Sequence, residues 1–246
     1  MSYKKVSLSM IVPVYNSEQY IKKNIFKLYK KIENLNKNFE LIIIDDGSSD
    51  QTRKILNLLK DNLSKIKLIF LKKNFGKGMA IRRGILKSSG KYIIYYDCDL
   101  PYFNKLSKIY NELIKNKNDF VMISREKDKY LKIKKNNLFF IRRNLSYFFN
   151  YISNLIIIEG FEDTQAGLKG LKKVHRYKLL KYKTDRFLFD IEIIRIAVKN
   201  KLKIKKVYSN SKVEDYNLNY LYKPKFYLNI LTDFLFIIFL IFFKKI

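Results

Sequence analysis

Apolar residues in the first half of the chain follow two alternating rhythms. Short apolar runs at Val6–Tyr15, Leu41–Ile44, Lys67–Leu71, Tyr92–Tyr96 and Phe120–Ile123 read as buried strands. Between them the spacing turns helical. Ile21, Ile25, Leu28 and Ile32 recur on one face of Tyr20–Ile32. Asp50 is placed to cap a helix running through Leu59, and Met79–Leu86 and Phe103–Ile114 supply two more. Repeated β-α-β units predict an α/β fold: a mostly parallel sheet with right-handed crossovers, flanked by helices. In such sheets ligands sit beyond the carboxyl ends of the strands. Three of those ends carry ligand-forming groups: Tyr15-Asn16, Asp45-Asp46 and Asp97-Cys98-Asp99.

After Ser124 the pattern changes. Arg125–Arg143 holds eight Lys/Arg and two acids, and Leu138–Ile158 adds Phe139, Phe140, Tyr147, Phe148, Phe149, Tyr151 and Ile152. This reads as a basic, aromatic amphipathic helix that either covers the sheet or touches a membrane. Phe226–Phe243 is mostly apolar, broken by Asn229, Thr232 and Asp233 and flanked by Lys223, Lys225, Lys244 and Lys245. As a helix it extends ~27 Å, just short of a ~30 Å hydrocarbon core. The expected organisation is a catalytic domain over 1–222, divided at 124/125, and a membrane-associating tail over 223–246. The start of the chain lacks a signal peptide's cleavage site, so the domain is expected at the cytoplasmic face, peripheral or anchored by its C-terminal tail.

Composition narrows the chemistry. With 48% apolar residues in 246, a large core is available. A single cysteine, Cys98, excludes a disulfide framework and a thiolate zinc cluster. A single histidine, His175, lies among Lys172, Lys173, Arg176 and Lys178 and reads as a surface residue. The formal net charge of +29 favours an anionic partner. A nucleic acid is one such partner, but the basic residues are dispersed and no nucleic-acid motif is present, so none is expected.

Three local motifs carry possible chemistry. Asp97 and Asp99 place two carboxylates at a strand end, which calls for a compensating cation such as a divalent metal bearing a diphosphate. Asn74-Phe75-Gly76-Lys77-Gly78 precedes a helix; its glycines admit close backbone approach, and the helix start and Lys77 favour an anion. The spacing is not that of a P-loop. Asp45-Asp46-Gly47-Ser48-Ser49-Asp50 offers a carboxylate to a nucleobase N–H. Taken alone, each is equally an ordinary turn or cap.

Their order is more specific. Val12-Pro13-Val14-Tyr15-Asn16, Ile43–Asp50, Asn74–Ala80 and Asp97-Cys98-Asp99 together resemble the nucleotide-binding half of family 2 glycosyltransferases, which have the GT-A (Rossmann-like) fold. Downstream, Ser124-Arg125, Arg142-Arg143 with Ser146 and Asn150, Asp163–Lys169 and Phe189-Asp190-Ile191-Glu192 resemble the dolichyl-phosphate mannose and glucose synthase branch. Asp-Thr-Gln-x-Gly-x-Lys is nearest the glucosyl members, although Ala166, Leu168 and Gly170 depart from their pattern.

The resemblance implies roles. Pro13, Tyr15, Asp45 and Asp46 would hold the base, with Lys77 near the nucleotide. Asp97 would contact ribose or sugar. Asp99, helped by Asp97 and Gln165, would bind Mg²⁺ or Mn²⁺ on the diphosphate of the nucleotide sugar. Arg125, Arg142, Arg143 and Lys169 would grip the phosphate of a polyprenyl phosphate lipid. Asp163 would lie near the anomeric carbon, and Asp190 and Glu192 would orient the sugar or support the metal loop. The implied reaction is inverting hexose transfer from UDP-glucose or GDP-mannose to polyprenyl phosphate at a membrane surface. A phosphate acceptor, with a second pKa of ~6, is largely ionised at neutral pH and needs little help from a general base. Transfer to a glycan hydroxyl is the alternative, and the sequence sets no oligomeric state.

Overall fold

The apolar runs become strands because helices cover both of their faces. β1 (Leu8–Val14), β2 (Phe39–Asp45) and β4 (Tyr92–Tyr96) are buried at every position, as expected for a parallel sheet between helical layers. The structure, a computed structural model, describes residues 6–115, 117–125, 151, 161, 163–186, 188–209 and 224–243. β3 (Ile66–Phe70), β5 (Phe120–Arg125), β6 (Leu168–Lys172) and β7 (Ile204–Ser209) complete a seven-stranded sheet among these residues, in the order β3-β2-β1-β4-β6-β5-β7.

The helices follow the sequence rhythm. In α1 (Ile21–Leu35), Ile21, Ile25, Leu28 and Ile32 are fully buried. α2 (Thr52–Asn62), α3 (Lys77–Lys87) and α4 (Leu106–Ile114) link the successive strands, with a 3₁₀ turn at Phe103–Lys105 leading into α4. The N-cap position of α2 is Gln51 rather than the expected Asp50, which lies one residue earlier and accepts the Thr52 N–H on Oδ1 at 3.0 Å. Alternation along the strands divides the core. Met10 and Val12 pack on one face with Ile25, Leu28 and Ile109; Ile11, Ile42 and Ile44 pack on the other with Ile81, Ile85 and Ile193.

Topology locates the site. From β1 the chain builds outward to β2 and β3, then returns to place β4 on the other side of β1. The strand order therefore reverses between β1 and β4, where open α/β sheets form their ligand crevice. Pairing between β1 and β4 covers Leu8–Ile11, whereas β1 and β2 stay paired to Val14. Pro13, which has no N–H to donate, lies past the last β1–β4 pair.

The second half differs from a simple continuation. β6 runs antiparallel between β4 and β5, so Asp163–Gly167 enters the sheet at the same edge where the parallel strands end. Short α5 (Arg176–Leu179) and then α6 (Phe189–Lys199) follow β6. Arg142, Arg143, Ser146 and Asn150, and all of 138–158 except Tyr151, lie outside the described residues.

The apolar tail folds as α7 (Pro224–Phe242). Ile230 and Ile237 are buried, and Phe234 packs against the core beside them. Leu228, Leu231, Leu235, Phe239 and Phe242 are exposed. Among the described residues no helix is long and apolar enough to cross a membrane.

Candidate active site

At the β1 end, the backbone turns at Asn16, whose φ of 45° is left-handed. Its amide oxygen accepts the Ser49 N–H, and its own N–H donates to Ser48 Oγ. These bonds tie the β1 and β2 loops together and leave Tyr15 exposed beside them.

At the β2 end, the two adjacent aspartates do different work. Asp45 is fully buried; Arg53 Nε donates to its Oδ2 at 2.6 Å, and the Ser48 N–H also points to it. Asp46 accepts the Phe75 and Gly76 N–H groups, one on each carboxylate oxygen, both at 2.8 Å. Burial raises its pKa more than these two bonds lower it. Asp46 was expected to hold a base; in the structure it holds the glycine loop. Gly47 at φ 75° makes that contact possible, because a Cβ there would lie 2.3 Å from the Lys73 carbonyl carbon.

The glycine loop is pinned from its other side by residues 182–186. Met79 N–H donates to the Asp185 carbonyl at 3.0 Å, and the Tyr182 hydroxyl donates to the Gly78 carbonyl at 2.7 Å. Cβ atoms at Gly76 or Gly78 would meet the Asp185 carbonyl oxygen at 2.6 and 2.9 Å. Glu192 holds this strap. Its carboxylate accepts the Lys183 and Thr184 N–H groups and the Thr184 hydroxyl. Glu192, expected to orient the sugar or support the metal loop, is fully buried on α6, and what it holds is this strap. Sequence spacing alone could not show this, because its partners lie on a turn of no regular period. Glu192→Ala is expected to lower stability by about 3 kcal/mol, since two backbone donors and a hydroxyl lose their acceptor; a urea titration of the variant measures it. A cleft of about 380 Å³ lies where the strap, Phe75 and the Thr232–Phe236 turn of α7 meet.

At the β4 end, Asp97 and Asp99 are half-buried and lead into a tight turn. Leu100 and Tyr102 adopt φ of 55° and 60°, a cost usually found where function demands a particular backbone path. Lys77, first residue of α3, reaches Asp97 Oδ1 at 2.7 Å. Burial acts to lower the Lys77 pKa, but Asp97 and Asp190 outweigh it and hold the ammonium above its ordinary value. Burial and the charge of Asp99 push the Cys98 thiol up to about 12, so it is an inert neighbour. Gly167 lies directly against Asp97: its carbonyl accepts the Asp97 N–H at 2.9 Å, and a Cβ on it would stand 2.0 Å from Asp97 Oδ2.

At the β5 end, Arg125 and Asp163 form a closed pair. Arg125 Nε and Nη2 donate to the two carboxylate oxygens at 2.8 and 2.7 Å, and the Arg125 backbone N–H adds a third bond at 2.7 Å. Burial acts to raise the Asp163 pKa, but Arg125 overrides it and holds the carboxyl below the usual range. A carboxyl with a depressed folded-state pKa stabilises the fold above its unfolded pKa of ~3.9 and loses that contribution as pH falls through the folded value. Asp163→Asn is therefore expected to flatten the acid limb of the stability profile below about pH 4, read by thermal melts across pH.

Residues 9–168 match the family model described as Glycosyl transferase family 2. The chain belongs to this family. It is 34% identical over 219 residues to a dolichyl-phosphate beta-glucosyltransferase of Dictyostelium discoideum, covering 83% of this chain and 66% of that protein. The human dolichyl-phosphate beta-glucosyltransferase is 30% identical over 215 residues, covering 82% and 66%. The chain thus spans just under two thirds of the length of these relatives. A Pyrobaculum calidifontis mannosyltransferase, solved with GDP-Man and Mn²⁺, superposes with a TM-score of 0.57 at 16% identity over 87% of this chain and 59% of that one. Glucosyl-3-phosphoglycerate synthase from Mycobacterium tuberculosis gives 0.56 at 16%, over 83% and 69%. These neighbours share the GT-A fold.

For a family 2 domain, the expected residues divide into two groups. Tyr15, Lys77, Asp97, Asp99, Arg125 and Gln165 all lie at the carboxyl-end edge of the sheet, with Asp163 beside them. Lys169 does not join them. It was expected to grip an acceptor phosphate, but it is fully buried, with Nζ 2.6 Å from Asp190 Oδ1 and 2.7 Å from the Ala166 carbonyl. Its register sets this: β6 pairs Lys169 with Tyr95, whose side chain packs in the core cluster that α6 joins, so Lys169 meets Asp190 there. His175 pairs with Asp119 at 3.2 Å, at the opposite edge of the sheet.

Among the described residues no three His, Cys, Asp or Glu side chains cluster as a metal site. The donor set at the β4 end is two carboxylates with oxygen ligands only. It fits a hard cation that takes one or two carboxylates and completes its shell from substrate phosphates.

Proposed function

We propose that this chain transfers glucose from a nucleotide sugar to the phosphate of a polyprenyl phosphate, inverting the anomeric centre, at the cytoplasmic face of a membrane. The observation that carries this reading is the convergence, on one sheet edge, of the Asp97/Asp99 pair with the Arg125–Asp163 pair. One pair suits a donor diphosphate and the other an anionic acceptor. The dolichyl-phosphate beta-glucosyltransferase relatives support glucose as the sugar and a polyprenyl phosphate as the acceptor.

In this reading the base lies against Tyr15 at the β1 end, and the diphosphate lies across the glycine loop that Asp46 holds. Asp99 and Asp97 would hold Mg²⁺ or Mn²⁺, with Gln165 beside them. Bound there, the metal supplies charge neutralisation on the leaving diphosphate. Lys77 adds a point charge at the same phosphates. Asp163 fixes the plane of the Arg125 guanidinium, so the acceptor phosphate meets a donor group already oriented. The acceptor oxygen is already ionised, so no imidazole is needed, in keeping with His175 at the far edge. Arg142 and Arg143 are proposed as further phosphate ligands.

The membrane reading draws on the exposed apolar face of α7 and on the net charge of +29, attracted to anionic lipid at ~1 kcal/mol per nearby basic residue. Membranes containing the protein, supplied with polyprenyl phosphate, Mg²⁺ and labelled UDP-glucose, GDP-mannose or UDP-N-acetylglucosamine, are expected to place label in the organic phase from UDP-glucose alone. No lipid label from any donor, in a protein that still binds nucleotide sugar, would move the acceptor to a glycan hydroxyl.

A further inference from the structure

Lys77 stands between two carboxylates that belong to different halves of the chain. Its Nζ lies 2.7 Å from Asp97 Oδ1 and 3.8 Å from Asp190 Oδ2. Asp190, on α6, is 1% exposed. Its Oδ1 already receives Lys169 Nζ at 2.6 Å and the Tyr95 hydroxyl at 3.3 Å. Lys169 is therefore the closer of the two cations on Asp190. The second oxygen of Asp190 is aimed at Lys77 from just beyond hydrogen-bonding distance, while Asp97 is the closer partner.

A divalent cation at Asp97 changes that balance. Two cationic groups within ~4 Å on one carboxylate repel by several kcal/mol at a protein surface. The flexible stem of lysine lets its ammonium move about an ångström without disturbing α3. Asp190 offers the nearest alternative carboxylate, oriented by its bond to Lys169.

We propose that Lys77 has two seats: Asp97 when no divalent cation is bound, and Asp190 Oδ2 when one occupies Asp97. Asp190 is then a positioning residue that acts through Lys77, and Lys169 is what keeps Asp190 fit for that use. The exchange keeps Lys77 beside the donor phosphates while releasing Asp97 as a ligand. It also links α6, in the second half, to the strand end that serves the donor. This inference rests on the nucleotide-sugar reading above.

Mn²⁺ binding to the whole chain, followed by the electron paramagnetic resonance signal of free Mn²⁺ with and without UDP, tests it. Lys77→Met is expected to bind Mn²⁺ about tenfold tighter than wild type, and Asp190→Asn about tenfold weaker. Asp190→Asn introduced into Lys77→Met is expected to change affinity less than about threefold, because there is no longer a lysine to reseat. Lys73→Met, which removes a nearby charge outside the exchange, is expected to shift affinity less than about twofold. Additive single and double variants, or equal gains from Lys73→Met and Lys77→Met, would overturn the exchange. Asp190→Asn leaves Lys169 buried without its carboxylate; if that variant does not fold, Lys77→Met decides alone, and no gain in affinity refutes the proposal. Wild type that binds Mn²⁺ neither alone nor with UDP would instead refute the donor-site reading itself.

Discussion

Asp99→Ala is expected to lower hexose transfer by about 10²–10³-fold while leaving the fold intact. The side chain is half-buried at a strand end and lies outside both core clusters, so its loss costs little packing. What it removes is a carboxylate where the leaving diphosphate gathers charge. Initial rates with labelled donor, set beside the thermal midpoint, separate the two effects. Asp163→Asn is expected to lose less, because Arg125 stays in place and can still meet an anionic acceptor. Equal abolition by both substitutions, with donor binding intact, would argue against a phosphate acceptor.

The second large effect is expected from a single added methyl group. Gly167→Ala places a Cβ 2.0 Å from Asp97 Oδ2 and 2.4 Å from its carboxyl carbon. The carboxylate has to move by about an ångström, and displacements of that size at reacting groups cost on the order of 10²-fold in rate. Mn²⁺·UDP affinity is expected to fall together with the rate, because the moved group serves both. Gly167 does not have a left-handed φ among the described glycines, so backbone strain is not the cause; the loss is one of space alone. A variant with full activity and unchanged Mn²⁺·UDP binding would show that Asp97 is not held where the donor needs it.

Much of the first half was legible from the chain. The continuous apolar runs at Leu41–Ile44 and Tyr92–Tyr96, short and rich in Ile and Tyr, read as strands covered on both faces, and the three-four spacing of Ile21, Ile25, Leu28 and Ile32 reads as one helical stripe. Both are local periodicities, fixed by backbone geometry, and the structure matches them to within a few residues. The ends of those strands marked the site because ligands of open α/β sheets gather beyond the carboxyl ends of the strands.

The second half was legible in its residues but not in their partners. Lys169 and Glu192 carry charges that, in a sequence, read as surface or ligand groups. Only the insertion of β6 between β4 and β5 turns Lys169 inward to Asp190, and only the return of the strap across the glycine loop buries Glu192 beneath Thr184. The hold of Asp46 on the glycine loop is hidden in the same way, because its partners at Phe75 and Gly76 lie about thirty residues away.

The sequence by itself determined the alternation of strands and helices, the strand-end carboxylates and the family. Each of these depends on residue type and short-range spacing, which survive without knowledge of neighbours. The tertiary structure decided which charges face the crevice and which are neutralised in the core. A charged side chain is stable in either place. Its place is set by whether an opposite charge arrives from a distant segment to offset the cost of burial, and that is a property of the sheet order rather than of any stretch of chain.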